Sequence, residues 1–152
     1  MPSSNDPALP HIVLVGAGFA GLNFVHGVPA KAARITIVDR QNHHLFQPLL
    51  YQVATAGLSA VDIAQPVRAI FGARPNLTVL MGEVTGFDLA GKRVRHAHGA
   101  LAYDYLVVAA GGVTSYFGHP EWEQFAPGLK SLDDALRIRR QILSSFEGGE
   151  TE

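Results

Sequence analysis

Residues 11–21 read His-Ile-Val-Leu-Val-Gly-Ala-Gly-Phe-Ala-Gly, and a second apolar run, Ile35-Thr36-Ile37-Val38, closes on Asp39. An apolar strand runs into Gly16-x-Gly18-x-x-Gly21, a helix is expected next, and an acid ends the following strand. That order is a dinucleotide-binding fingerprint. Gly16 permits the tight strand-to-helix turn, Gly18 lets backbone approach a pyrophosphate, and Gly21 lets the helix pack close to the strand. The helix start would turn N–H groups and about half a positive charge toward the phosphates. Asp39 stands near the spacing of about 20 residues at which a carboxylate reaches a ribose hydroxyl.

Working outward, strands are expected over 11–16 and 34–39, with a helix from Gly18 to His26 between them. Both strands are continuous apolar runs, as in a parallel sheet covered on both faces. Gln41 to Ala60 is apolar without a clean helical or strand period, and Pro48 and Gly57 break it. It reads equally as a connector packed on the core or as the lining of a site for a flat or lipid-soluble ligand. Val61 to Phe71 reads as a helix, with Pro66 tolerated near its first turn. Leu77 to Met81 is a third strand. A β-meander follows, with turns at Leu89–Lys92 and His98-Gly99. Tyr105 to Ala109 is another buried strand, stopping at Ala110-Gly111-Gly112, where backbone could again approach a cofactor. Ser131 and Asp134 resemble a helix-start cap. Leu132, Leu136, Ile138, Ile142 and Phe146 then line one side of a terminal helix, with Arg137, Arg139 and Arg140 on the wetter side.

Composition narrows the function classes. A net charge of −1 and 16% charged residues give no nucleic-acid footprint. There is no cysteine, which excludes disulfide and thiolate chemistry within these 152 residues. No apolar stretch reaches the roughly 18 residues of a membrane span. Residues 1–10 read as a disordered tail without signal-peptide features, and a cytoplasmic location is expected. His43-His44 and His96-x-His98 lack a carboxylate or cysteine cluster and are not read as metal ligands. Asp133-Asp134 is read as a helix-start pair, not an acid–base dyad. The fingerprint alone leaves NAD and FAD open, because both carry a pyrophosphate and a ribose.

Three blocks carry a more specific signal: Asp39 to Ser59 (DRQNHHLFQPLLYQVATAGLS), Tyr103 to Ala109, and Ser115 to Trp122 followed by Ala126 to Ser131. They resemble type II NADH dehydrogenases, the non-proton-pumping NADH:quinone oxidoreductases, over about residues 11–147. The resemblance implies an α/β, Rossmann-like FAD/NAD(P)-binding domain with a parallel sheet, helices and a β-meander, forming part of a two-dinucleotide flavoprotein. It implies that Gly16, Gly18, Phe19, Ala20 and Gly21 surround the FAD pyrophosphate. Asp39 would bind the adenosine ribose, with Arg40 beside the adenine and Val84 meeting it through its backbone. Ala110 and Gly111 would lie near the phosphates, and Gln47 and Pro48 beside the flavin ring. No catalytic side chain and no metal ligand is assigned.

In the family, hydride passes from NADH to the flavin, and two electrons pass on to a membrane quinone at the cytoplasmic face. The family's Ala-Thr-Gly reads Ala109-Ala110-Gly111 here, removing a hydrogen bond worth about 0.5–1.5 kcal/mol. The family also has a second glycine-rich fold, a later Gly-Asp segment and a membrane-docking helix pair, none of which matches this chain. The chain is therefore expected to be an N-terminal fragment. Residues 11–114 would form the first part of the FAD-binding domain and 115–152 a connector and helix leading to an absent NADH-binding domain. That helix is expected to lie loosely, and segment 45–58 to stay exposed and promote aggregation. Membrane contact would come only through parts outside the chain, and a homodimer is compatible with the reading. Two alternatives remain: a non-catalytic dinucleotide-binding module and a single-domain NAD-dependent dehydrogenase. The second lacks a Tyr-x-x-x-Lys pair, since no lysine follows Tyr103, Tyr105 or Tyr116 at four residues.

Overall fold

The computed structural model describes residues 9–149, so most of the expected tail at 1–10 falls outside the described residues. The chain divides into two compact units. One comprises residues up to His44 together with Pro66–Gly111, and the other Leu45–Gln65 together with residues from Gly112 onward.

The first unit is built on a four-stranded parallel sheet. Strands β1 (His11–Val15), β2 (Arg34–Asp39), β5 (Leu77–Met81) and β9 (Tyr105–Val108) lie in the order β5-β2-β1-β9. Ile12 registers with Ile35 on one side of β1 and with Tyr105 on the other. Alternation sends the two sets of side chains to opposite faces. Ile12, Leu14, Ile35 and Ile37 pack with Val25 of α1 (Phe19–Gly27) and Val67 of α4 (Val67–Phe71). Val13, Val15 and Val38 pack instead on Val94 of an antiparallel meander, β6 (Val84–Asp88), β7 (Arg93–His96) and β8 (Gly99–Ala102). Helices on one face and a meander on the other agree with the fold class expected from the sequence.

Val61–Phe71 is a correction. The segment is not one helix: α3 (Ala60–Ile63) ends, Ala64–Pro66 is extended as β4, and α4 begins at Val67. Proline has no N–H to donate and pushes the residue before it out of the helical region, so Pro66 separates two helices.

The second unit has its own small core. Gln47–Leu49 forms a 3-10 turn leading into α2 (Leu50–Ala54). Leu50, Val53 and Ala54 pack with Ile63 and with Ala135 of α5 (Leu132–Gly149). Segment 45–58 is covered only in part: Phe46 (42%) and Tyr51 (55%) stay exposed as expected, whereas Leu50, Val53 and Ala54 are at most 4% exposed, because the first turns of α5 lie over them. For the same reason α5 is not loose at its start, and its exposed apolar residues are the later Ile142, Leu143 and Phe146. The Ser131 cap forms as expected. Asp134 N–H donates to Ser131 Oγ at 3.2 Å, and Ser131 N–H donates to Asp134 Oδ2 at 3.0 Å.

Candidate functional site

In the first unit the candidate residues gather where the parallel strands end. Gly16 follows β1, Asp39 closes β2, Val84 follows β5, and Ala110-Gly111 follows β9. The carboxyl ends of parallel strands, beside the point where strand order reverses, are where open α/β sheets bind nucleotides. Here that reversal lies between β1 and β9.

The glycines sort into two kinds. Gly16 has φ +101°, and a Cβ there would collide with the Ala109 carbonyl. At Gly21 a Cβ would collide with the Gly16 carbonyl. Both are glycine because of protein neighbours. Gly18 has ordinary extended backbone, and a Cβ on it would meet no protein atom within 4 Å. Among the described residues none demands glycine at 18. The open space beside it, at the start of the nine-residue α1, is where a bound pyrophosphate would demand one. No side chain caps that helix start and its first turn carries no acid, so neither competes with an incoming anion. The residues therefore fit a dinucleotide.

Asp39 is held in place before any ligand arrives. Its Oδ2 accepts from Ala17 N–H at 2.6 Å, and its Oδ1 accepts from Gln41 N–H at 2.8 Å. A carboxylate has about four acceptor directions, so two remain for ribose hydroxyls. Gly82 N–H donates to the Asp39 carbonyl at 2.8 Å, which brings the approach to Val84 alongside. Val84 opens β6 opposite His96 and packs against the cluster of Val13, Val15, Val38 and Val94. Phe19, Ala20, Arg40, Ala110 and Gly111 are exposed on the open side, and Gly111 has φ +72°. Gln47 and Pro48 belong to the second unit, both exposed, and Gln47 Nε2 donates to the Lys130 carbonyl at 3.1 Å.

His44 was missed as a member of this neighbourhood. Its Nδ1 lies 3.1 Å from the Ala17 carbonyl oxygen. The signal in the sequence, a histidine a few residues beyond the fingerprint acid, was read only against metal binding. Among the described residues no group of three or more His, Asp or Glu could hold a metal ion.

A parallel sheet with the glycine fingerprint at its carboxyl edge and an acid closing β2 defines a dinucleotide-binding α/β protein. Residues 10–146 match the pyridine nucleotide-disulphide oxidoreductase family, and the chain belongs to it. With no cysteine in the sequence, the disulfide of that description has no counterpart in this segment. The chain is 45% identical over 154 residues to the type II NADH:quinone oxidoreductase Ndh of Mycobacterium tuberculosis, a match covering 98% of this chain and 33% of that protein. A second type II NADH:quinone oxidoreductase from the same organism, NdhA, is 45% identical over 143 residues, covering 91% of this chain and 30% of its own length. Among solved structures, NDH2 of Plasmodium falciparum in complex with NADH superimposes with a TM-score of 0.83 at 26% identity, covering 93% of this chain and 30% of that one. The chain thus spans about a third of the length of the curated relatives it matches.

Proposed function

We infer that this chain is the FAD-binding part of a type II NADH:quinone oxidoreductase. Residues 11–114 form the first part of the cofactor domain, and 115–152 the connector and helix that lead toward the NADH-binding domain. The observation that supports the reading is the fingerprint loop at the carboxyl edge of the parallel sheet: Gly16 and Gly21 are packed against backbone carbonyls, Gly18 lies open at the start of α1, and Asp39 closes the neighbouring strand. The resemblance of residues 39–59, 103–109 and 115–131 to type II NADH dehydrogenases favours FAD over NAD as the dinucleotide.

Bound at the loop, FAD would supply the two-electron chemistry that carries reducing equivalents from NADH to a quinone. The chain's own residues bind and orient. The loop from Gly16 to Gly21 turns its backbone and the start of α1 toward the pyrophosphate. Asp39 offers its remaining lone pairs to the adenosine ribose, with Arg40 and the backbone of Val84 at the adenine end. Ala110 and Gly111 close the phosphate side after β9. In this reading the enzyme works at the cytoplasmic face of a membrane. Among the described residues no helix is long and apolar enough to cross one.

The test is a titration of the purified 152-residue chain with FAD, followed by flavin absorbance and fluorescence, and separately with NAD, followed by calorimetry. Saturable FAD binding that is weakened by Asp39→Ala and abolished by Gly18→Val supports the reading. Binding of NAD in place of FAD, or of neither, overturns it.

A further inference from the structure

Ala17, between Gly16 and Gly18, is held through both of its peptide groups. Ala17 is 1% exposed, and its N–H is taken by Asp39 Oδ2 at 2.6 Å. Its carbonyl oxygen faces His44 Nδ1 at 3.1 Å. A carbonyl only accepts, so this ring nitrogen carries the proton and donates, in the neutral ring as in the charged one. The same ring meets Phe19 edge-on, with centroids 4.9 Å apart and planes at 88°. His44 therefore touches the residue before Gly18 and the residue after it.

Gly18 has no side chain with which to fix its own orientation. The peptide joining Ala17 to Gly18 is planar and trans, so its C=O and N–H point in opposite directions. Whatever holds the Ala17 oxygen also aims the Gly18 N–H. We propose that His44 is a positioning residue for the dinucleotide-binding loop: by donating Nδ1–H to the Ala17 carbonyl and bracing Phe19, it fixes the orientation of the Ala17–Gly18 peptide and so sets dinucleotide affinity. The effect on affinity rests on the dinucleotide-binding reading above. The effect on the loop does not.

Two variants and two readouts test it. His44→Leu keeps bulk and removes the donor, whereas His44→Asn places an amide nitrogen close to the Nδ1 position. FAD affinity is measured by flavin fluorescence. Amide exchange of Ala17 is measured in the ligand-free chain. His44→Leu is expected to weaken FAD binding about 3- to 10-fold, the equivalent of one hydrogen bond. It is also expected to accelerate exchange at Ala17 while β1 stays protected. His44→Asn is expected to restore both to within about twofold of the parent chain. Parent-like binding and exchange in His44→Leu would overturn the proposal, as would a His44→Asn variant no better than His44→Leu. Weakened binding with unchanged loop exchange would overturn it too, because His44 would then act on the ligand directly. If the parent chain binds no FAD, the functional reading fails, and exchange in the ligand-free chain alone decides the role of His44.

Discussion

At the scale of single residues, the three fingerprint glycines predict different phenotypes. Gly16→Ala and Gly21→Ala each drive a Cβ into backbone carbonyls, and Gly16 adds a positive φ. Each is expected to destabilise the folded chain by at least about 2 kcal/mol, read as a drop in urea midpoint. At Gly18 a Cβ meets open space, so Gly18→Val should cost no more than the roughly 1 kcal/mol of an apolar residue at a helix N-cap while dinucleotide binding is lost. Equal destabilisation by all three would mean that the loop is glycine-rich for folding alone. A second residue prediction concerns Asn76, which is 2% exposed. Its Nδ2 donates to the Ala33 carbonyl at 2.7 Å, and its Oδ1 accepts from Arg74 Nε at 2.9 Å. Arg74 in turn donates to the Val25 and Val28 carbonyls behind α1. Asn76→Ala leaves the buried Ala33 carbonyl without that donor and should cost about 1–3 kcal/mol in the same denaturation.

At the scale of elements, what the sequence made legible follows from how local the cause is. The cap of α5 depends on residues three apart, so Ser131 and Asp134 were readable as a start signal, and both bonds form. Ser131→Ala should cost about 0.5–2 kcal/mol and should first release the amides of the opening turn of α5, as followed by hydrogen exchange. The strands β1 and β2 were readable because burial on both faces leaves a continuous apolar run. Val61–Phe71 misled because Ile63, Val67 and Ile70 share a helical spacing even though Pro66 splits them. Ile63 and Val67 in fact belong to different cores, one in each unit. Periodicity reports that residues are buried, not that they are buried together. His44 escaped for a related reason. Its partner, the Ala17 carbonyl, lies 27 residues back in the chain and is a main-chain atom, which no side-chain pattern can announce.

At the scale of the whole molecule, the two cores place two acid-sensitive groups in different units, and each shift has a sign that can be worked through. In the first unit, His11 Nε2 bonds Thr36 Oγ1 at 2.8 Å at the amino end of β1. Burial first, then the Arg34 charge, holds the imidazole below its ordinary value of 6.5, outweighing the opposite pull of the Ala102 backbone and the Asp104 carboxylate. Protonation is thus harder folded than unfolded. The stabilisation is complete above pH 6.5 and is lost as pH falls through the folded value. In the second unit, burial of Asp134 works to raise its carboxyl, but hydrogen bonds from Ser131 and Lys130, with the Arg137 charge, hold it below the ordinary 3.8. Its contribution is likewise present above that value and disappears only in stronger acid. Urea midpoints measured downward from pH 8 should therefore fall in two steps, the first beginning near pH 6.5 and the second below about 4. His11→Gln, which cannot titrate, should flatten the first step and leave the second. Asp134→Asn should flatten the second and leave the first. If His11→Gln leaves the loss below pH 6.5 unchanged, the imidazole at the foot of β1 does not control it, and another titrating group must be sought in the first unit.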